Sequence, residues 1–158
     1  NFNQRETNIL LLSLTVKIGA DDRYILNVVN CYGPHSGRTS NDPQEADDFY
    51  ATLHQVVSSF RSNDLLFVMG DFNSKLGTRK EEERFMGAHG RGIRNSNGHI
   101  LASVVESLEL FACNTAFQKS ARHKTTWVGR RREKHIYNQI DYIFCSFWWV
   151  RGDSLPWS

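Results

Sequence analysis

Two β-rich runs lead the apolar pattern, Ile9–Val16 and Arg23–Cys31. The stretch between them, Gly19-Ala20-Asp21-Asp22, has the composition of a turn, so the pair predicts a hairpin. Tyr24–Cys31 is nearly continuous in apolar residues, the pattern of a strand covered on both faces. It ends at Tyr32-Gly33-Pro34, and a loop rich in Gly, Ser and Asn follows through Asn41. Asp42-Pro43-Gln44-Glu45 predicts a helix start. Asp42 can cap, Pro43 suits the first helical position, and Glu45 completes a capping box. Phe49, Leu53, Val56, Val57 and Phe60 then recur at helical spacing, and the helix should stop near Ser62-Asn63. Leu65–Met69 reads as a short buried strand that runs into Gly70-Asp71-Phe72-Asn73.

Residues 74–97 are polar and Gly-rich, with the solvated charge run Arg79–Arg84, and predict a long loop with at most one helical turn. Asn97-Gly98 introduces a second amphipathic helix carrying Ile100, Leu101, Val104 and Leu108 on one face. Leu110–Asn114, Thr125–Val128 and Ile136–Ser146 read as strands, the last two joined by the basic turn Gly129–Lys134. Helical and strand periods alternating in one core predict an α/β class. Without repeats or a linker, the 158 residues read as a single domain, 1–158.

Composition narrows this little further. Forty per cent apolar residues suits a globular chain, and a net charge of +2 does not by itself demand a polyanion. The charge is uneven, however. Residues 119–135 carry seven Lys and Arg against one acid, Glu133, a local charge of +6. No run of 18 apolar residues exists, so no membrane helix or membrane partner is expected. No signal peptide is visible and no Asn-x-Ser/Thr sequon occurs. Cys31, Cys113 and Cys145 read as buried thiols rather than a disulfide framework, which together suggests an intracellular setting.

The chemistry concentrates at strand ends. Asp71, after five apolar residues, could activate a water or hold a divalent cation, with Asn73 as a neutral donor and acceptor beside it. The same Asp-x-Asn could equally be an Asx turn. Tyr32 closes its strand similarly, and its phenol could meet a phosphate oxygen or simply sit as an amphipathic strand-end residue. Asp141 lies among β-formers against propensity, so it needs a partner, either a histidine that it orients or a structural donor. Thr126 could offer its hydroxyl to a phosphate. Arg130-Arg131-Arg132, between Thr126 and Asp141, could grip a nucleic-acid backbone or remain a solvated turn. None of the six histidines has metal-ligand spacing with another.

Taken together, Asn30-Cys31-Tyr32-Gly33-Pro34, Val68-Met69-Gly70-Asp71-Phe72-Asn73, the Asn97-Gly98 helix start with Asn114-Thr115 after it, and Thr126-Trp127 followed by Asn138-Gln139-Ile140-Asp141-Tyr142-Ile143 are far more specific than any one alone. Their order and spacing, strongest over residues 9–146, resembles the endonuclease/exonuclease/phosphatase superfamily. Within it, the chain is most similar to the apurinic-type endonuclease domains of non-LTR retrotransposons of the RTE-like branch. The resemblance implies a DNase I-like fold, here a partial two-sheet β-sandwich flanked by helices. It implies phosphodiester hydrolysis with Mg²⁺ or Mn²⁺, no small-molecule cofactor, a DNA partner and a nuclear location. Carried over by position, Tyr32 would contact the scissile phosphate and Asp71 would position or deprotonate the attacking water. Asn73 would hold that water, Thr126 would assist phosphate binding, and Asp141 would orient a catalytic His. Asp71 and Asn73 are the residues expected at a metal.

Two parts of the family pattern are not found: a strand pair carrying an Asn and a metal-binding Glu before Asn1, and a Ser-Asp-His segment after the strand of Asp141. Loss of a general acid or base costs about 10²–10⁴ in rate, and loss of metal stabilisation several kcal/mol more. The expectation is a retrotransposon-type endonuclease fragment that, alone, hydrolyses DNA weakly or not at all. The rival readings are a catalytically dead remnant that only binds DNA or protein, and a phosphatase or phosphodiesterase acting on lipid or nucleotide phosphates.

Overall fold

The computed structural model describes residues 9–18, 22–35, 43–61 and 64–146. The expected turn at Gly19–Asp21, the loop through Asn41, the Asp42 cap and the helix stop at Ser62-Asn63 lie outside them. β1 (Ile9–Ile18) and β2 (Asp22–Tyr32) pair antiparallel, as the two β-rich runs with a turn-like stretch between them predict. Helix α1 (Pro43–Ser58) then returns the chain so that β3 (Leu65–Asp71) lies parallel to β2. After a long loop come helix α2 (Ser96–Ser107) and β4 (Leu110–Ala112). β5 (Trp127–Arg131) and β6 (Lys134–Asn138) form a hairpin, and β7 (Asp141–Ser146) ends the described chain. The five-stranded sheet runs β1-β2-β3-β7-β4, while β5 and β6 make a separate two-stranded sheet. Two sheets with two α-helices among the described residues match the expected α/β class.

The core lies on one face of the larger sheet. Tyr50, Leu53 and Val57 of α1 and Leu101, Ala102 and Val105 of α2 are buried against Val29, Cys31, Val68, Tyr142 and Phe144 of the strands. A buried Val or Leu removes about 1.5–3 kcal/mol of apolar exposure, so these two helix faces account for most of what holds the layer. The strand pleat therefore assigns a face to every neighbour. In β2, Asn27, Val29 and Cys31 face the helices, whereas Asn30 and Tyr32 are exposed. This corrects the expectation of a strand covered on both faces: among the described residues no layer covers the second face at Tyr32. Leu10, Leu11, Leu12 and Leu14 of the edge strand β1 are also exposed.

Several element boundaries differ from the pattern, among them β5, which runs through Arg131 into the expected basic turn. Helix α2 begins earlier than Asn97-Gly98, because Asn95 Oδ1 caps it by accepting from the amide of Gly98 at 2.9 Å. Leu110–Asn114 is a strand only to Ala112, and a 3₁₀ turn at Cys113–Thr115 takes over. Ile136–Ser146 is two strands. The break falls at Gln139-Ile140, where the Tyr142 hydroxyl donates to the Gln139 carbonyl at 2.9 Å. Asp141 is consequently the first residue of β7, not a mid-strand acid.

Candidate active site at the ends of three strands

Tyr32, Asp71 and Asp141 are register partners: Tyr32 pairs with Asp71 across β2 and β3, and Asp71 with Asp141 across β3 and β7. Register partners project from the same face. The buried alternates Cys31, Val68 and Tyr142 face the helices, so the three site side chains line the opposite, open face. Tyr32 is 55% exposed there, and both aspartates are half-buried. Residues 39 and 70 positions apart thus share one row because a parallel crossover and an antiparallel return end at the same level.

The backbone around this row is tightly specified. Gly33 donates its amide to the Asp71 carbonyl at 2.7 Å, and Phe72 donates to the Ile140 carbonyl at 2.9 Å. Phe72 is fully buried, its ring edge-on to Phe144 with centroids 5.2 Å apart. It therefore acts as a wedge that fixes the residues on either side. Asn73 adopts φ 47°, a left-handed conformation that Asn tolerates well, and its amide donates to Asp71 Oδ1 at 2.8 Å. The Asx turn and the chemical reading are therefore not alternatives, since the turn is what aims the carboxylate. Asn73 Nδ2 donates to the Gly33 carbonyl at 2.9 Å, and its Oδ1 accepts no hydrogen bond among the described residues.

Thr126 is placed differently from its neighbours in the motif. Its Oγ1 accepts from the amides of Ile140 and Asp141, at 3.0 and 3.2 Å. The hydroxyl oxygen pins the start of β7, and the hydroxyl hydrogen remains to be donated outward. The Thr126 amide donates to the Asn138 carbonyl at 2.9 Å, closing the base of the β5–β6 hairpin beside the site. Arg130 and Arg132 are exposed towards its tip, with Arg132 in the turn at φ 54°. Arg130 reaches Glu133 at 3.3 Å, an exposed pair worth little. Arg131 lies in the same strand as Arg130.

Two contributors carry no role in the sequence reading. Asn114 donates through Nδ2 to the Asp141 carbonyl at 3.0 Å and accepts from the Ile143 amide at 3.5 Å, bracing β7 from the side. His35 stands near enough to Asp71 to act on its charge. Its signal was its place three residues after Tyr32, on the loop that Asn73 and Asn97 hold at Gly33 and Pro34. Burial pushes the Asp71 carboxyl above the usual carboxylate range. The Asn73 amide opposes this, the charge of Asp141 adds to it, and His35 opposes it. A carboxylate so tuned takes up a proton more readily than an exposed one.

The donor set bears on a metal. Among the described residues no three His, Cys, Asp or Glu side chains form a metal-binding group. Asp71 and Asn73, with Asp141 alongside, offer a few hard oxygen atoms. That fits Mg²⁺, which keeps waters and takes phosphate oxygens beside one or two carboxylates, and does not fit a closed site. No imidazole donates to the Asp141 carboxylate among the described residues, so the expected catalytic His is not beside it.

This strand arrangement has counterparts among solved structures. The catalytic domain of Xenopus laevis APE2 superposes with a TM-score of 0.58 at 18% identity, covering 88% of this chain and 46% of that domain. The endonuclease domain of TRAS1, a telomere-specific non-LTR retrotransposon, gives 0.52 at 14% identity, covering 86% and 50%. The chain has the endonuclease/exonuclease/phosphatase fold. In sequence it resembles craniofacial development protein 2 of Bos taurus, 32% identical over 127 residues. That match takes in 78% of this chain and 20% of the relative, so the chain spans about a fifth of that protein's length. No protein-family model matches. Within the endonuclease/exonuclease/phosphatase fold, the open face of β2, β3 and β7 is where the residues read from the sequence meet.

Proposed function

We propose that this chain carries part of the active site of a metal-dependent DNA endonuclease of the non-LTR retrotransposon type, acting in the nucleus. The observation that carries this reading is the single row of Tyr32, Asp71 and Asp141 on a sheet face that no described layer covers, with Asn73 locked beside it. The likeness to the TRAS1 endonuclease domain in fold and the basic hairpin rooted at Thr126 support DNA over a lipid or nucleotide phosphate.

In this reading the Tyr32 phenol donates to a non-bridging phosphate oxygen. Asp71 accepts a proton from the attacking water while Asn73 Oδ1 holds that water in line. The Thr126 hydroxyl donates to a second phosphate oxygen. Mg²⁺ or Mn²⁺, when bound near Asp71 and Asn73, supplies charge neutralisation at the phosphate. With Asp141 lacking an imidazole partner among the described residues, the chain by itself nicks DNA weakly.

The test is nicking of supercoiled plasmid at high protein concentration with Mg²⁺, comparing wild type with Asp71→Asn. A general base contributes about 10²–10⁴ in rate, so the slow wild-type nicking should fall to background. Stability should move the other way. A carboxyl raised by folding costs stability as pH climbs from its unfolded value through its folded one. Asp71→Asn should therefore match wild type near pH 3 and be slightly more stable at pH 7, by a few tenths of a kcal/mol, since solvent still screens the group. Urea melts at the two pH values measure it. Equal nicking by both proteins ends the proposal. DNA binding without any nicking in wild type would favour the binding-only remnant.

The hairpin makes a separate prediction. Replacing Arg130, Arg131 and Arg132 by Ala should flatten the slope of log K against log salt by about 2–3, at roughly 0.9 for each phosphate that is no longer neutralised. Fluorescence anisotropy on a labelled duplex reads this, and an unchanged slope assigns the three arginines to a merely solvated turn.

A further inference from the structure

One side of the β5–β6 hairpin carries aromatic and basic side chains that hydrolysis leaves unused. In the register of the two strands Arg130 stands opposite His135, and Val128 opposite Tyr137. Alternate residues of a strand share a face, so these four make up one side of the hairpin. All four are exposed, Val128 by 57% and Tyr137 by 51%. The His135 and Tyr137 rings are neighbours, with centroids 6.3 Å apart and planes 36° from each other, closer to parallel than to edge-on. The other side is used internally. There the Trp127 ring fills the space above Gly129, where a Cβ would come within 1.9 Å of it, and Ile136 is half-buried. A Val128–Tyr137 pair helps two strands to hold together, but that role needs neither His135 nor Arg130 beside it.

The charge says what kind of partner suits these rings. Arg130 lies on the same face, Arg132 stands in the turn and Lys134 begins β6, all of them exposed. Residues 119–135 together carry +6. Such a field attracts a polyanion. A duplex meets it through phosphates, since its base faces are stacked inside. A single strand brings the same phosphates and has its base faces free to stack on exposed rings. The hairpin is rooted at the candidate site, where Thr126 Oγ1 accepts from the Asp141 amide at 3.2 Å. Tyr137 precedes Asp141 by four residues, a span of at most about 13 Å at about 3.3 Å per residue.

We propose that this side of the hairpin is a stacking platform for unpaired bases. Tyr137 and His135 receive adjacent bases of a single-stranded DNA segment, and Arg130 with the other exposed cations holds the phosphates between them. The inference rests on the DNA reading above and names the form of DNA, a strand unpaired beside the ester that Asp71 and Asp141 face. Tyr137 and His135 bind and take no part in the chemistry. Stacking uses the ring and not the phenol hydroxyl, and it tolerates any sequence because every base has a π-face.

Binding is measured in EDTA, so a chain that never cuts DNA still answers the question. Fluorescence anisotropy compares a labelled oligothymidine of about 16 nucleotides with a duplex of the same length. Wild type should bind the single strand at least about fivefold more tightly than the duplex. Tyr137→Ala should bind the single strand about 5- to 100-fold more weakly, and Tyr137→Phe, which keeps the ring, about as well as wild type. The salt slope of Tyr137→Ala should stay that of wild type, because stacking releases no counterions, whereas a collapsed hairpin would flatten it. With wild type, an oligonucleotide carrying iodouracil should crosslink under long-wavelength light to Tyr137 or His135, which peptide mapping reads. Circular dichroism checks the fold of the variants, and the wild-type crosslink decides the matter if one is not folded. A duplex bound as tightly as the single strand, an unchanged affinity in Tyr137→Ala, or crosslinks only outside residues 127–138 would overturn the proposal. So would an oligouridine bound more than about tenfold more tightly than the oligothymidine, since the platform would then belong to RNA. If the platform fails while Asp71→Asn abolishes nicking, the endonuclease reading stands without it.

Discussion

Gly70→Ala should cost the protein more than about 3 kcal/mol, the upper range for a single substitution. Gly70 sits inside β3 with Cys31 on one side and Tyr142 on the other, and its φ is +139°. A side chain at that angle is strained by about 1–3 kcal/mol before any clash is counted. A Cβ there would also lie 1.9 Å from the Cys31 carbonyl oxygen. That neighbour is backbone and cannot swing aside, so β2 and β3 would have to part at the row that carries Tyr32 and Asp71. With a urea slope of about 1–3 kcal/mol per M, the midpoint should fall by at least about 1 M. Circular dichroism during urea titration measures it. A shift worth less than about 1 kcal/mol would mean that the sheet yields at this point, and the rigidity claimed for the site would go with it.

The same glycine shows how far the sequence could be read. Five apolar residues marked β3, but Gly-Asp-Phe-Asn looked like a turn, and the pairing in fact continues through Asp71. A strand ends by local composition only where no neighbour demands otherwise; here two neighbours supply hydrogen bonds, and Gly70 lets the backbone approach. The candidate residues stood out because each stands at a composition boundary, and motif order singled them out. Their shared row was not legible, since register depends on crossover geometry that no local signal carries. Asn95 was hidden for a related reason. Its neighbours Asn97 and Gly98 look like the better helix start, but Asn95 alone reaches both the Gly98 amide and the Lys75 amide, each at 2.9 Å. The coverage of Tyr24–Cys31 was misjudged because apolar content reports what a strand can bury, not what lies over it.

The long loop between Asp71 and α2 was read only as polar and Gly-rich; it buries Leu76, Phe85 and Met86, and an ion pair that composition cannot announce ties its two halves together. Arg94 donates from Nε to the Leu76 carbonyl at 2.7 Å and from its two terminal nitrogens to both Glu83 oxygens, at 2.5 and 2.8 Å. Its guanidinium carbon lies 5.7 Å from the centroid of the Phe85 ring, and the side chains of Arg94 and Glu83 are only 8% and 12% exposed. Arg94→Ala should therefore destabilise by about 3–5 kcal/mol, because it strands a carboxylate out of water. Arg94→Lys keeps the charge but not the two-pronged geometry and should fall between. Glu83→Gln with Arg94→Met should cost less than Arg94→Ala, since no charge is left unpaired. The pH dependence gives a sign to check. Burial alone would raise the Glu83 carboxyl, but the Arg94 bonds and the Lys80 amide outweigh it and hold it below its ordinary value. In wild type the pair thus contributes fully above the unfolded carboxylate range and is lost as pH falls through the lowered value. Without Arg94 the burial is opposed only by the Lys80 amide and charge, so the carboxyl moves up and protonation on acidification relieves it. The stability gap between wild type and Arg94→Ala should therefore be smaller at pH 5 than at pH 7 in urea melts. A gap under about 1 kcal/mol, or one that widens on acidification, would show that something other than this ion pair orders the loop.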